Sequence, residues 1–277
     1  MAKRKNIIMQ FNSLSEFLKH IAAGETQPNF LKYWIEEDKL RSKCTTDSQC
    51  KFAGTRSMEE ADRLLHDGDR ENMELLKKYG FEPDVKKYNF AQRRKITPAV
   101  VGFAPIVPNA IAGVPVAMQR VEQIKVQQRV VNVVLSVGFD YTIDKDDYAT
   151  FAAKVLNACI SLEKRNIRVN LYVVMGAREK NKIDGQHIVS FVKIKDSKQA
   201  IDPLSVAYPV INASFLRRHN FRLIETTPGV SRLFCGNYGV PLSADTIKKF
   251  LPAQLKNSLV MTYYDRKRLD KIFNDIK

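Results

Sequence analysis

The hydrophobic pattern becomes that of an α/β domain near the middle of the chain. Residues 130–139 and 167–177 are two apolar runs rich in valine, which is typical of strands buried on both faces of a sheet. Residues 146–166 lie between them, and their many alanines and other apolar residues predict a helix packed on the sheet. A strand–helix–strand succession predicts a parallel pair joined by a right-handed crossover.

Residues 187–195 predict another strand, joined to the second one through Asp184-Gly185, which is a hairpin turn signal. Its alternating lysines favour an antiparallel strand at the edge of the sheet. The remaining pattern predicts a helix at 204–218, a short strand at 221–226, a helix at 243–251, a strand at 258–264 and a terminal helix at 265–277.

The N-terminal part predicts short amphipathic helices. Capping boxes begin at Ser13 and Ser57, and Gly24, Gly68 and Gly80 are expected to end helices in a left-handed conformation. Each helix has only one apolar face, so it needs a neighbour to pack against. The expected division is a small helical region at 1–95, an apolar proline-rich connector at 96–120 and an α/β domain at 121–277.

Residues 96–119 carry no charge and are long enough to span a bilayer by count alone. Four prolines, at 98, 105, 108 and 115, argue against a continuous helix. We therefore expect an extended connector packed over a domain, and no membrane partner. The four cysteines show neither zinc-ligand spacing nor a disulfide framework, so we expect reduced thiols and a cytoplasmic location.

The aspartates after the first strand allow two interpretations. Asp140, Thr142 and Asp144 could offer hard oxygens to a divalent cation. An EF-hand is excluded because Lys145 and Phe151 occupy the positions that need glycine and glutamate. The alternative is that Asp144, Asp146 and Asp147 cap the next helix. We favour capping and expect no bound metal.

The sequence offers little support for catalysis. It contains no G-x-x-x-x-G-K-[ST] loop, no G-x-G-x-x-G turn after a strand and no G-x-S-x-G elbow. The four histidines are scattered without metal-ligand spacing, and no base is evident for Cys159. We therefore expect a non-enzymatic protein without a cofactor. A divalent-metal hydrolase at Asp140, Thr142 and Asp144 remains a third hypothesis.

Two groups of basic and aromatic residues, together with the formal net charge of +15, favour a polyanionic partner. Interleaved cations and rings suit single strands, because phosphates meet the cations and bases stack on the rings. Lys77, Lys78, Tyr79 and Phe81 also belong to the first group, and Lys271 belongs to the second. The residues expected to bind nucleic acid are Lys86, Lys87, Tyr88, Phe90, Arg93, Arg94, Lys95, Tyr263, Tyr264, Arg266, Lys267 and Arg268. The competing interpretation is a solvated surface whose rings point into the core.

The segments FAGTRSMEEADRLLHDG, VPNAIAGVPVAM and RVVNVVLSVGFDYT, followed by a helix and ISLEKRNIRVNLYVV, resemble an uncharacterised family of tailed-bacteriophage proteins. In that family a helical region with a G-T-x-S-x-E-E-A-like box precedes a degenerate α/β domain similar to the von Willebrand factor A fold. His66-Asp67-Gly68 replaces the usual tryptophan-glycine after the box. The resemblance implies a phage origin and a host-cytoplasmic setting, and it supplies no activity.

These observations predict an α/β fold with a mainly parallel sheet, an antiparallel edge strand and flanking helices, Rossmann-like or von Willebrand factor A-like. The expected function is single-stranded DNA binding in phage replication or transcription, with a phage or host polymerase as a second partner. The alternative is a protein-interaction or virion-assembly module that does not bind nucleic acid. If the chain binds single-stranded DNA, neutralising Arg93, Arg94 and Lys95 should reduce the salt dependence of binding.

Overall fold

The computed structural model describes residues 5–34, 40–43, 45–83, 92–125, 129–138, 142–179, 185–231, 234, 238 and 240–276, without the side chains of 33–34, 92–94 and 123–125. The strands are β1 (Ile7–Phe11), β2 (Gln92–Ala99), β3 (Ala104–Pro105), β4 (Met118–Lys125), β5 (Val130–Ser136), β6 (Arg168–Arg178), β7 (His187–Lys195), β8 (Val240–Pro241) and β9 (Leu259–Met261). The α-helices are α1 (Leu14–Ala23), α2 (Pro28–Trp34), α3 (Asp47–Ala53), α4 (Met58–Asp67), α5 (Arg70–Lys78), α6 (Val107–Ile111), α7 (Lys145–Lys164), α8 (Pro203–Ile211), α9 (Phe221–Thr226), α10 (Ala244–Lys249) and α11 (Leu269–Asn274).

The chain forms two compact units, one made of Met1–Val85 and Val130–Lys277 and the other of Lys86–Arg129. The first unit therefore contains both the N-terminal helices and the α/β part. Its main sheet has the strand order β1-β7-β6-β5-β9, with β8 beside β6. The α/β fold expected from the sequence is confirmed, and in the described part of this sheet three of the five strand pairings are parallel.

The central strands are apolar on both sides because both faces of the sheet are covered. Val133 and Leu135 point into the larger core, which includes the buried face of α7. Val134 and Val174 belong to a second core with Ile247 of α10. The predicted parallel pairing of β5 with β6 across α7 is confirmed. These two helices therefore lie on opposite faces of the sheet.

The predicted position of β7 is half correct. It pairs antiparallel with β6, as expected. It is not an edge strand, because β1 pairs with its other side in parallel, aligning Ile7 with Ile188. Nor are its lysines confined to the solvent side, since Lys195 is almost fully buried and its ammonium contacts the carboxylate of Glu163. A buried partner thus makes a lysine tolerable inside the sheet layer.

Three predictions about helices need correction. Residues 221–226 were expected to form a strand and form α9 instead, because they continue directly from a π-helical turn at Phe215–Asn220. The helix expected over 204–218 is interrupted at Asn212, whose side-chain oxygen accepts from the Ser214 N–H over 3.0 Å. Gly24 ends α1 with a φ of −78°, outside the left-handed region.

The predicted helix starts and two of the glycine stops are confirmed. Ser13 and Ser57 cap α1 and α4, each accepting a hydrogen bond from the backbone N–H of the glutamate three residues later. Gly68 and Gly80 have φ values of +91° and +86°. Short helices need such local stop and start signals, because their few backbone hydrogen bonds give them little stability alone.

Buried polar contacts attach the N-terminal helices to the rest of the first unit. Arg218 is fully buried. Its guanidinium donates to the Thr55 hydroxyl over 2.7 Å, to the Thr55 carbonyl over 2.6 Å and to the Ser42 carbonyl over 3.0 Å. Ser214 also donates to the Thr55 hydroxyl, over 2.8 Å. The threonine of the G-T-x-S-x-E-E-A-like box is therefore a structural acceptor for a buried cation.

The second unit is an antiparallel sheet in the order β2-β4-β3, with α6 between β3 and β4. The stretch 96–120 was predicted to be an extended connector, and it instead supplies β3, α6 and parts of β2 and β4. Among the described side chains of this unit, nine large apolar ones are exposed: Ile96, Val100, Val101, Phe103, Val107, Ile111, Val114, Val116 and Val121. No helix in the described part of the chain has the length and apolarity needed to cross a bilayer.

Candidate nucleic-acid interface

A capped turn holds the C-terminal aromatic and basic residues. Tyr263–Asp265 form one 3₁₀ turn directly after β9, and Thr262 begins it. The hydroxyl and the backbone N–H of Thr262 both donate to one carboxylate oxygen of Asp265, over 2.8 and 2.9 Å. This capping box fixes the path of the chain between β9 and α11, and with it the positions of the two tyrosines.

The two neighbouring tyrosines have different environments. Tyr263 is half-buried, and its ring packs edge-on against Phe151 and tilted against Tyr148 of α7, with centroid distances of 5.9 and 6.3 Å. Tyr264 is 70% exposed, and its ring meets the Tyr263 ring edge-on at 6.1 Å. Tyr263 thus anchors the turn, while most of the Tyr264 ring is open to a stacking partner.

Several cations lie next to the exposed ring in sequence. The Arg266 guanidinium lies 4.5 Å from the centroid of the Tyr263 ring, in a cation–π contact. Lys267, Arg268 and Lys271 are exposed and form no ion pair with any side chain that the structure describes. We call Tyr263, Tyr264, Arg266, Lys267, Arg268 and Lys271 the C-terminal patch. It combines an accessible ring with unneutralised charge, as binding of a single strand requires.

The end of α5 and the segment after it pack on the other flank of α7. The Asn157 side chain of α7 donates to the Gly80 carbonyl over 2.6 Å and accepts from the Glu82 N–H over 3.1 Å. Successive residues of an α-helix turn by about 100°, so Asn157 lies on the side of α7 opposite Tyr148 and Phe151. The exposed ridge between the two flanks carries Lys154.

Hydrogen bonds also order the charges at the end of α5. A hydrogen bond to the Asp146 carboxylate and burial raise the pKa of the Tyr79 hydroxyl. The contact with Tyr79 in turn raises the pKa of Lys78, whose ammonium lies 5.0 Å from the Tyr79 ring centroid. Lys78 therefore stays charged at the edge of the α7 ridge. Phe81 is buried in the core, so for this ring the inward-pointing interpretation is correct.

Only part of the first predicted basic and aromatic group lies within the described residues. Lys86, Lys87, Tyr88 and Phe90 lie outside the described residues. Arg93 and Arg94 belong to β2, but their side chains are not described; Lys95 is exposed and pairs across the sheet with Glu122. All of these residues belong to the second unit, whereas the C-terminal patch belongs to the first. The meeting of the two groups on one surface stays a prediction.

The acidic residues after β5 act as helix caps where they are described. The Asp144 carboxylate accepts from the Asp146 N–H over 2.7 Å at the start of α7, and Asp146 and Asp147 lie in the first turn. The predicted capping by Asp144 is confirmed. Asp140 lies outside the described residues, and within them no three acidic, histidine or cysteine side chains cluster as metal ligands would.

The sequence interpretation missed Lys154 as a member of this surface. The signal was present, because Lys154 is a lone cation in a stretch of α7 that is otherwise apolar, between Ala153 and Val155. A helix with buried faces toward the sheet, α5 and α11 exposes only a narrow ridge. A charged residue in an otherwise apolar stretch of such a helix therefore indicates where its exposed ridge lies.

One family model matches the chain over residues 2–273, and its description is "Domain of unknown function (DUF7192)". No curated protein and no solved structure matches. The family match covers nearly the whole chain, including both compact units and every residue of the C-terminal patch. The description names no activity, so functional argument rests on the geometry of the surface.

Proposed function

The chain belongs to the DUF7192 family, and from the geometry of its C-terminal patch we propose that it binds single-stranded nucleic acid without catalysing a reaction. Single strands are preferred because a protein ring can stack fully only on an unpaired base. The 70% exposure of Tyr264, next to Arg266, Lys267 and Arg268, is the observation that carries the proposal. Residues 264–268 therefore combine an exposed ring that can stack on a base with cations that can contact phosphates.

The charge of the whole chain supports the same function. A net charge of +15 attracts polyanions over long distances and speeds their association, most strongly at low salt. Lys78 and Lys154 extend the positive charge along α7 from the C-terminal patch. Phosphates on either side of a stacked base would meet these cations, and the strand would run along the exposed ridge of α7.

The biological setting of this proposal comes from the sequence resemblance alone. We propose a phage-encoded protein that acts in the host cytoplasm on single-stranded DNA opened during replication or transcription, where it could recruit a phage or host polymerase. The likeness of the α/β part to the von Willebrand factor A fold belongs to the same resemblance. The α/β architecture is the structural support for that likeness, and the phage setting rests on the sequence resemblance.

A titration of short labelled oligonucleotides, followed by fluorescence anisotropy over a range of salt concentrations, tests the site. Tyr264→Ala should weaken single-strand binding by about 1–3 kcal/mol, the usual contribution of one stacked base. Lys267→Gln with Arg268→Gln should lower the slope of log affinity against log salt by about 0.7 for each phosphate that the variant no longer neutralises. Double-stranded oligonucleotides of the same length should bind more weakly.

Two matched controls separate a site from a general charge effect. Lys248→Gln with Lys249→Gln removes the same charge from α10, on the other face of the sheet. Phe103→Ala removes an exposed ring from the uncharged stretch of the second unit. Both should leave affinity nearly unchanged. Reductions in affinity equal to those of the patch variants would contradict a binding site at Tyr264.

A second candidate function is an interaction or virion-assembly module. Nine of the fourteen large apolar side chains that are exposed in the described residues lie in the second unit. Contiguous exposed apolar surface is typical of protein interfaces. Absence of any oligonucleotide binding at low salt would reject the first proposal and favour this one.

A further inference from the structure

A cavity of about 720 Å³ opens in the first unit, away from the residues of the C-terminal patch. Its walls come from the end of α3, from α4 and the first turn of α5, from the start of α7, and from the segment after α8. Pockets for small molecules usually measure about 300–1,000 Å³. The cavity is therefore large enough for a small ligand, and five different elements of one unit build it.

The charged side chains of the cavity favour an anion. Among the described residues, five cations and four carboxylates line it, and the cations are Lys51, Arg63, Arg70, Lys145 and Arg217. Arg217 is held against Phe52, and Lys145 lies 3.9 Å from the Glu71 carboxylate. The side chains of Lys51, Arg63 and Arg70 form no hydrogen bond or ion pair with any residue that the structure describes. These three cations are available to a ligand.

The acidic side chains of the wall are mostly engaged elsewhere. Glu60 accepts a hydrogen bond from the Arg56 N–H over 2.6 Å, and Asp67 contacts the His66 ring at 3.1 Å. Asp69 caps α5 and accepts from the backbone N–H of Asn72 over 3.0 Å and from the Asn212 side chain over 2.8 Å. A cationic ligand would find few free carboxylates. The anion would also be held by side chains, because the Asp69 cap already occupies the start of α5.

A second feature of the wall concerns Asn72, which is 3% exposed. Its side-chain N–H₂ donates to the Asp69 carboxylate over 2.5 Å, and because a carboxylate only accepts, this contact fixes the orientation of the amide. The Asn72 Oδ1 atom is buried and has no hydrogen-bond partner among the described residues. A buried acceptor without a donor is costly, and Asn72 is one of the residues that line the cavity. Because Oδ1 itself has almost no accessible surface, a ligand hydroxyl satisfies it only when the Asn72 side chain shifts toward the cavity.

We propose that this cavity binds a small phosphorylated molecule that also carries hydroxyl groups, such as a sugar phosphate or a nucleotide. Arg63, Arg70 and Lys51 hold the phosphate, since arginine and lysine form strong charge-assisted hydrogen bonds with phosphate oxygens. The Asn72 side chain accepts from a ligand hydroxyl. This site is independent of the C-terminal patch, so either proposal can fail without the other.

Isothermal titration of the full chain with inorganic phosphate, ribose 5-phosphate, adenosine 5′-monophosphate and unphosphorylated ribose, at one ionic strength, tests the proposal. Ribose 5-phosphate or the nucleotide should bind more tightly than phosphate, and ribose should not bind. Arg63→Gln with Arg70→Gln should weaken binding at least about tenfold. Both side chains are exposed, so the variant should fold normally. Lys248→Gln with Lys249→Gln is the matched control and should leave binding unchanged.

Each outcome decides the proposal. Loss of binding in the arginine pair alone supports it. Absence of binding by all phosphorylated probes would overturn it, as would equal binding by the arginine pair and the wild-type chain. Tighter binding of phosphate alone than of ribose 5-phosphate would reject the hydroxyl contact to Asn72.

Discussion

At the scale of single residues, Arg218 shows how a buried charge can be stabilised by neutral acceptors. Its described hydrogen-bond acceptors include the Thr55 hydroxyl and the carbonyls of Thr55 and Ser42. A buried guanidinium needs its donors satisfied, and removing one acceptor costs more than an ordinary hydrogen bond contributes. Thr55 also follows Gly54, whose φ of +88° ends α3. The turn that ends α3 and the residue that accepts from Arg218 are therefore adjacent in the sequence.

Replacing the Thr55 hydroxyl should destabilise the protein strongly. Thr55→Val keeps the shape of the side chain but leaves the Arg218 Nε–H without its acceptor and removes one of the acceptors of the Ser214 hydroxyl. We expect the free energy of unfolding to fall by about 2–3 kcal/mol, measured by urea denaturation. Thr150→Val is the control, because the Asp146 carbonyl of its own helix is the one partner of the Thr150 hydroxyl among the described residues. The control should change stability by less than about 1 kcal/mol, and equal destabilisation would contradict the role of Thr55.

At the scale of elements, Gly68 and Gly80 end consecutive helices but differ in their surroundings. Both have positive φ values, at +91° and +86°. A Cβ atom on Gly68 would lie 2.2 Å from the Leu204 Cγ atom of α8, while one on Gly80 would meet nothing within 4 Å. Gly68 also has a ψ of 149°, a conformation that is essentially restricted to glycine. The stop at Gly68 therefore also sets how closely α4 approaches α8.

Alanine substitutions at these two glycines form a matched pair. Gly80→Ala should cost about 1 kcal/mol from backbone strain alone. Gly68→Ala should cost about 3 kcal/mol or more, because the clash with Leu204 adds to a larger strain. Thermal or urea unfolding of both variants measures the difference. Equal destabilisation by the two variants would show that the Leu204 side chain moves aside without an energetic cost. The close approach of α4 to α8 would then not be structurally important.

The sequence predicted elements whose signals are local and missed those decided by distant contacts. Continuous apolar runs identified β5 and β6, since central strands need apolar residues on both sides. The pairing of β1 with β7 joins residues about 180 positions apart, and no local pattern marks it. Burial of Lys195 depends on Glu163, a residue of α7 that the pattern of β7 does not contain. The six residues of α9 were too few to separate strand periodicity from helix periodicity.

The candidate site was predictable in composition but not in accessibility. The sequence identified Tyr263, Tyr264 and the following cations as a basic and aromatic group. It gave no means of telling that Tyr263 anchors on Phe151 while Tyr264 faces solvent, because adjacent residues in a turn do not alternate regularly. The cavity lined by Arg63 and Arg70 was not predictable either, since elements distant in sequence assemble it.

At the scale of the whole molecule, charge and exposed apolar surface are concentrated in the second unit. Lys86–Arg129 contains eight lysines and arginines and one glutamate, so it contributes +7 of the net charge of +15. The middle of the same segment is uncharged and exposes most of its large apolar side chains. The chain therefore inserts a basic and apolar module into an α/β unit that has its own buried core.

Replacing Lys86–Arg129 with a flexible glycine-serine linker should separate the contributions of the two units. The first unit should still unfold cooperatively, because its core lies within its own two segments. If the first basic group contacts phosphates, single-strand affinity should fall and the salt slope should decrease by about 0.7 for each phosphate that is no longer neutralised. Tyr264→Ala should weaken binding by the same factor in the shortened and full-length chains, since the stacking site lies in the first unit. An unchanged salt slope would exclude Lys86, Lys87, Arg93, Arg94 and Lys95 from the binding surface and leave the C-terminal patch as its centre.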